Sequence, residues 1–107
     1  MIPEINAKTL RRELDGPRPP RVLDVREPDE LRTSRLPDPI QNVPLGDLPE
    51  ALDELDRDAS YVVVCRVGGR SAQATAFLLG QGFRDVRNLA DGMNGYARAV
   101  DPSLPVY

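Results

Sequence analysis

The apolar run from Tyr61 to Cys65, with three consecutive valines at its centre, constrains this chain more than any other segment. A short apolar run with no polar alternation, rich in β-branched residues and flanked by polar stretches, suits a strand buried on both faces. Such a strand belongs at the centre of a sheet with helices on either side. The run is the longest uninterrupted apolar stretch in the chain and is far short of the roughly 20 residues a membrane span needs.

The segments around it alternate between strand and helix signals. Asn6 is placed to cap a helix over Ala7 to Leu14, with Ala7, Leu10 and Leu14 on one face. Pro17, Pro19 and Pro20 then stiffen the entry to a strand over Arg21 to Val25. Glu27 to Leu31 reads as one helical turn begun by Pro28, and Ile40 to Val43 as a strand after the proline-bearing loop Thr33 to Pro39. Asp47 is a candidate cap for a helix through Leu55. After the loop Arg66 to Arg70, a helix is predicted from Ser71, with Ala72, Ala76, Leu79 and Phe77 or Leu78 toward the core and Gly80 and Gly82 as stop signals. Val86 to Leu89 reads as a further strand, and Asp91 as the cap of a last helix to about Val100. Pro102 ends it and leaves an irregular tail. Alternation of this kind implies an α/β fold with parallel strands, helices on both faces and right-handed crossovers. With 107 residues, the chain is expected to be a single domain, its core over about 5–100 and a tail over 101–107.

Composition removes several function classes. The formal net charge of −3 argues against a nucleic-acid partner, because phosphate binding draws on a basic surface. One cysteine and no histidine exclude an internal disulfide, a Cys/His zinc cage, and any triad that needs an imidazole base. No metal or cofactor is expected. Met1 to Asn6 lack a basic segment followed by an apolar one, so a cytoplasmic setting without membrane attachment is the expectation.

The loop Cys65-Arg66-Val67-Gly68-Gly69-Arg70-Ser71 carries the chemistry. It lies between the central strand and a helix start, where unpaired N–H groups and the positive end of the helix dipole gather anions. Gly68 and Gly69 let successive N–H groups turn inward as a nest, and Arg66 and Arg70 add positive charge. A thiol in that setting ionises below its free value of about 8.5. Cys65 is therefore expected to be mostly thiolate at neutral pH, although a free cysteine at a strand end is more often a small buried apolar residue.

The chain resembles rhodanese-like domains from about Ile5 to Tyr96. The residues that carry the resemblance are LDVRE (Leu23 to Glu27), VPLGDLP (Val43 to Pro49), CRVGGRSA (Cys65 to Ala72) and NLADGMNGY (Asn88 to Tyr96). The resemblance implies a parallel five-stranded sheet and a double-displacement reaction. Cys65 would take the sulfane sulfur of thiosulfate or a related small anionic donor, and pass it to cyanide or an external thiol. A thioredoxin-like or sulfur-carrier protein would suit as acceptor. Backbone amides of Arg66, Val67, Gly68, Gly69 and Arg70 would hold the persulfide, and Arg66 and Arg70 would steer the substrate. A relay module that receives sulfur from a partner protein, with little turnover of free thiosulfate, is the alternative.

Related phosphatases use a longer loop, with one more residue between cysteine and arginine than the four here, and a histidine where this chain has Val64. The shorter ring suits a single sulfur atom better than a phosphoryl group. Asp24 and Arg26 end the strand expected beside the active one: Arg26 pairs with a carboxylate such as Glu30 and fixes its loop, or Asp24 helps orient the catalytic loop. The family's usual Gly-His pair and Ile-Pro-Gly-Ala run are replaced by Ser34 to Pro39, and its closing tryptophan by Tyr96, placed with Met93 near the site entrance.

Overall fold

The structure, a computed structural model, describes residues 1–107. Five parallel strands form one sheet in the order β1-β5-β4-β2-β3: β1 (Glu4–Ile5), β2 (Arg21–Asp24), β3 (Ile40–Asn42), β4 (Ser60–Val64) and β5 (Asp85–Leu89). The valine strand β4 is central, pairing Val64 with Asp24 on β2 and Val63 with Asn88 on β5. Its side chains alternate as the pleat requires. Tyr61 and Val63 enter one core cluster with Leu23, Ala74, Leu78 and Phe83, while Val62 and Val64 enter the other with Leu10, Leu36, Met93 and Tyr96. Each valine is fully buried and contributes about 1.5–3 kcal/mol through that burial.

Helix α1 (Ala7–Leu14) and helix α4 (Gly92–Ala99) cover one face, and α3 (Gly69–Gly80) covers the other. Asn6 caps α1 as expected, its side chain accepting from the Thr9 amide at 2.8 Å. None of these helices is long and apolar enough to cross a membrane.

Four local expectations are corrected. The short strand β1 has no counterpart in the sequence reading, because two residues carry no detectable period; it is held by backbone bonds from Asn88 to Pro3 and from Ala90 to Ile5. The stretch after Asp47 is not an α-helix but two 3₁₀ turns, Leu45–Asp47 and Pro49–Glu54. Pro49 has no N–H to give the Leu45 carbonyl, so the segment uses i→i−3 bonds such as Ala51 to Leu48 at 3.1 Å. The short helix α2 covers Glu30–Thr33, after a turn at Pro28 rather than beginning with it. In α3 the buried stripe is Ser71, Ala74, Thr75 and Leu78, while Ala76 is exposed. The helix starts two residues before Ser71, and that shift rotates two hydroxyls into the interior. Thr75 donates its hydroxyl proton to the Ser71 carbonyl at 2.7 Å, and Ser71 faces the cysteine loop.

Candidate functional site

Strand β4 ends at Val64 and delivers Cys65, 1% exposed, to the carboxyl edge of the sheet. Three residues later Gly68 adopts φ 106°, a left-handed conformation, and its amide donates to Cys65 Sγ at 3.1 Å. A side chain at Gly68 would strike the Ala90 carbonyl as well as strain the backbone. Of the two loop glycines, Gly68 alone needs this freedom; Gly69 already belongs to α3.

The start of α4 holds the loop from the other side. The Met93 amide donates to the Cys65 carbonyl at 2.8 Å and the Asn94 amide to the Arg66 carbonyl at 3.0 Å. Gly92, at φ 63°, has no room for a Cβ against those two carbonyls. With both carbonyls turned toward α4, the amides of Val67, Gly68 and Ser71 face the sulfur. Burial pushes the Cys65 thiol up, but the Ser71 hydroxyl and the amides of Ser71, Gly68 and Val67 outweigh it and bring the thiol below its ordinary value. Hydrogen bonds, more than the two arginines, are the cause.

Those arginines are both engaged. Arg70 forms a bidentate pair with Glu30 at 2.7 and 2.8 Å. That pair, together with the Glu27 amide and the Tyr107 phenol, overrides partial burial and holds the Glu30 carboxyl down at about 2. Arg66 donates to the Tyr107 main-chain carbonyl and lies 5.2 Å from the Tyr107 ring centroid. Val67, at 59% exposed, is the apolar tip of the loop.

Asp24 and Arg26 form a buried ion pair at 2.6 Å, so the partner of Arg26 is Asp24 and not the Glu30 carboxylate. Arg26 also donates to the Ser34 carbonyl at 2.8 Å, the Glu30 carbonyl at 3.3 Å and the Tyr107 hydroxyl at 2.9 Å. Asp24 spends its carboxylate on Arg26, including the Arg26 amide at 3.0 Å, and makes no hydrogen bond to the cysteine loop. The pair therefore braces the segment that presents Glu30 to Arg70. Met93 and Tyr96 do not line the entrance; both are buried between α1, α4 and the sheet.

The tyrosine at the site is Tyr107. Its phenol donates to Glu30 at 2.9 Å, and its backbone is bracketed by the Asn94 side chain, at 2.9 and 3.1 Å. None of the four surface cavities is lined by Cys65 or its loop, which the tail and the Arg70–Glu30 pair border. Sequence reasoning took Ser71 as a helix start and Asn88 as part of a strand and motif, and named neither as a site residue. Ser71 Oγ lies 3.2 Å from Cys65 Sγ and 2.5 Å from Asn88 Oδ1. A polar residue within a buried strand, as Asn88 is, is the signal that marks it. Nothing of that kind marks Tyr107.

Comparison with known proteins places the chain in a family. The model of the rhodanese-like domain family matches residues 6–99. A sulfurtransferase of Allochromatium vinosum is 35% identical over 98 residues, covering 92% of this chain and 91% of that protein. The rhodanese-like/PpiC domain-containing protein 12, chloroplastic, of Arabidopsis thaliana is 38% identical over 90 residues; these are 80% of this chain but span only 30% of that relative. The crystal structure of a rhodanese-related protein from Thermoplasma volcanium superposes with TM-score 0.81 at 32% identity, covering 98% of this chain and 97% of that one. Matched along nearly its whole length in family model, relative and solved fold, the chain belongs to the rhodanese-like sulfurtransferase family.

Proposed function

We propose that Cys65 is the sulfur-carrying nucleophile of a sulfurtransferase that takes sulfane sulfur from thiosulfate or a related small anion. The observation that carries this reading is the placement of Cys65 Sγ against the Gly68 amide at 3.1 Å and the Ser71 hydroxyl at 3.2 Å, at the start of α3. Thiolate attack on the outer sulfur of thiosulfate forms a new S–S bond and breaks the old one, and sulfite leaves with the electron pair. Amides of the loop Arg66 to Arg70 then face the anionic outer sulfur. Cyanide or an external thiolate attacks that sulfur in turn and returns Cys65 to the thiolate. A thioredoxin-like or sulfur-carrier protein fits the thiol acceptor, because this chain has no second cysteine to resolve the persulfide. The test is thiocyanate formation from thiosulfate and cyanide: turnover is expected with the wild-type chain and none with Cys65→Ser, and equal turnover by both would overturn the assignment.

One observation favours a second reading, a relay that receives persulfide sulfur from a partner protein. Arg70 is committed to Glu30 and Arg66 to Tyr107, so neither guanidinium is free to hold the sulfonate end of thiosulfate without breaking a pair. Comparing thiosulfate with a small persulfide donor separates the two. Relay behaviour is persulfide formation on Cys65 from the second donor at concentrations where thiosulfate gives little.

A further inference from the structure

Ser71 has one hydroxyl proton and two neighbours placed to receive it. Asn88 Oδ1 is at 2.5 Å and Cys65 Sγ at 3.2 Å. Asn88 is 1% exposed and cannot turn its amide over. Its Nδ2 donates to Glu4 Oε2 at 2.9 Å and to the Gly68 carbonyl at 3.3 Å, so a flip would press Oδ1 against two oxygens. The strand fixes the residue as well, through its register with Glu4 on one side and Val63 on the other and its amide bond to the Pro3 carbonyl at 2.9 Å.

We propose that Asn88 is a positioning residue that acts through Ser71, drawing its proton away from Cys65 and so favouring the thiol and the persulfide over the free thiolate. With the thiol, every group is satisfied: S–H donates to Ser71 Oγ, whose O–H donates to Asn88. Ionisation breaks this chain. Either the Ser71 hydroxyl turns to the thiolate and leaves a buried amide oxygen without a donor, or it stays and its lone pairs face the negative sulfur. A persulfide avoids both costs, since Sγ then bears no proton and little charge and the outer sulfur can take loop amides. When an acceptor thiolate attacks the outer sulfur, the S–S bond breaks and its electron pair returns to Sγ, restoring a thiolate that the loop amides stabilise but that Ser71, shared with Asn88, stabilises less than an uncommitted hydroxyl would. Asn88 thus slows release and favours the loaded form, a role that rests on the sulfur-carrying reading of Cys65.

Other charges border the site and stay constant in the test. They are Arg66 in the loop and Arg70 at the start of α3, Asp24 at the end of β2, Arg26 after it, Glu30 at the start of α2, Glu4 on β1, Asp91 before α4, and Tyr107 in the tail. Arg70 is near enough for its charge to interact with Cys65.

The test is the pH profile of Cys65 alkylation by iodoacetamide, unambiguous because the chain has one cysteine. In Asn88→Leu the midpoint is expected to move to lower pH, while the plateau rate at high pH falls about twofold to threefold, as a less basic thiolate is a weaker nucleophile. Asn88→Val, smaller and strand-forming, repeats the measurement if the leucine form does not fold. Asn88→Asp, which keeps an oxygen toward Ser71, is expected at or above the wild-type midpoint. In a Ser71→Ala background the leucine substitution is expected to have no effect on the midpoint. An unchanged or raised midpoint in both Asn88→Leu and Asn88→Val, or equal lowering in Asn88→Leu and Asn88→Asp, would overturn the proposal. Failure of the wild-type chain to accept sulfur from any donor would overturn the function reading and the favouring of the loaded form with it, and the alkylation profile would still decide how Asn88 acts on the thiol.

Discussion

Glu30 binds Arg70 through both carboxylate oxygens and also accepts from the Tyr107 phenol. Its ionisation is drawn down to about 2 from an ordinary 4.5. A carboxyl held lower in the folded chain than in the unfolded one stabilises the fold fully above pH 4.5, and that contribution is lost as pH falls from there toward 2. Thermal melts of wild type and Glu30→Gln are expected to differ by a constant interval near neutral pH and to converge through that acid window. At Gly68 the constraint is steric. Alanine there meets both a positive φ and the Ala90 carbonyl, and is expected to cost about 2–4 kcal/mol in urea unfolding. Cys65, Arg66, Gly68 and Arg70 were legible in the sequence because one short loop holds them. Glu30, Asn88 and Tyr107 lie far from it along the chain, and only the fold brings them to it.

Among the elements, β4 was legible because an unbroken valine run leaves no solvent face to assign. Helix α1 was legible because Asn6 is a good cap and its apolar spacing is regular. The buried face of α3 was legible only in part: Leu78 is buried and Phe77 and Leu79 pack against the core, as their spacing suggests. An apolar-stripe reading selects Ala72 and Ala76, whereas the interior takes Ser71 and Thr75, whose hydroxyls find partners there. The site thus depends on a helix whose polar side faces inward at its start. Ser71→Ala removes the proton shared by Cys65 and Asn88. Near neutral pH it is expected to leave a folded chain with slower uptake of sulfur, measured as the rate of persulfide formation under thiosulfate.

At the scale of the whole molecule, Tyr107 closes contacts that no nearby sequence foretells. Its residue joins Arg26 and Glu30 beside β2, Asn94 in α4 and Arg66 in the cysteine loop. Tyr107→Ala is expected to lower stability by about 1–3 kcal/mol, and to raise the rate at which a bulky maleimide reaches Cys65 by severalfold. Equal maleimide rates in the two proteins would show that the tail does not cover the sulfur. The sheet order, the clamp from α4 and the tail all converge on one thiol, and the proposed role of that thiol is to carry sulfur. Intact mass spectrometry after exposure to thiosulfate tests it most directly. A gain of one sulfur atom in the wild-type chain and none in Cys65→Ser is the expected result; no gain in the wild type, or the same gain in both, would contradict it.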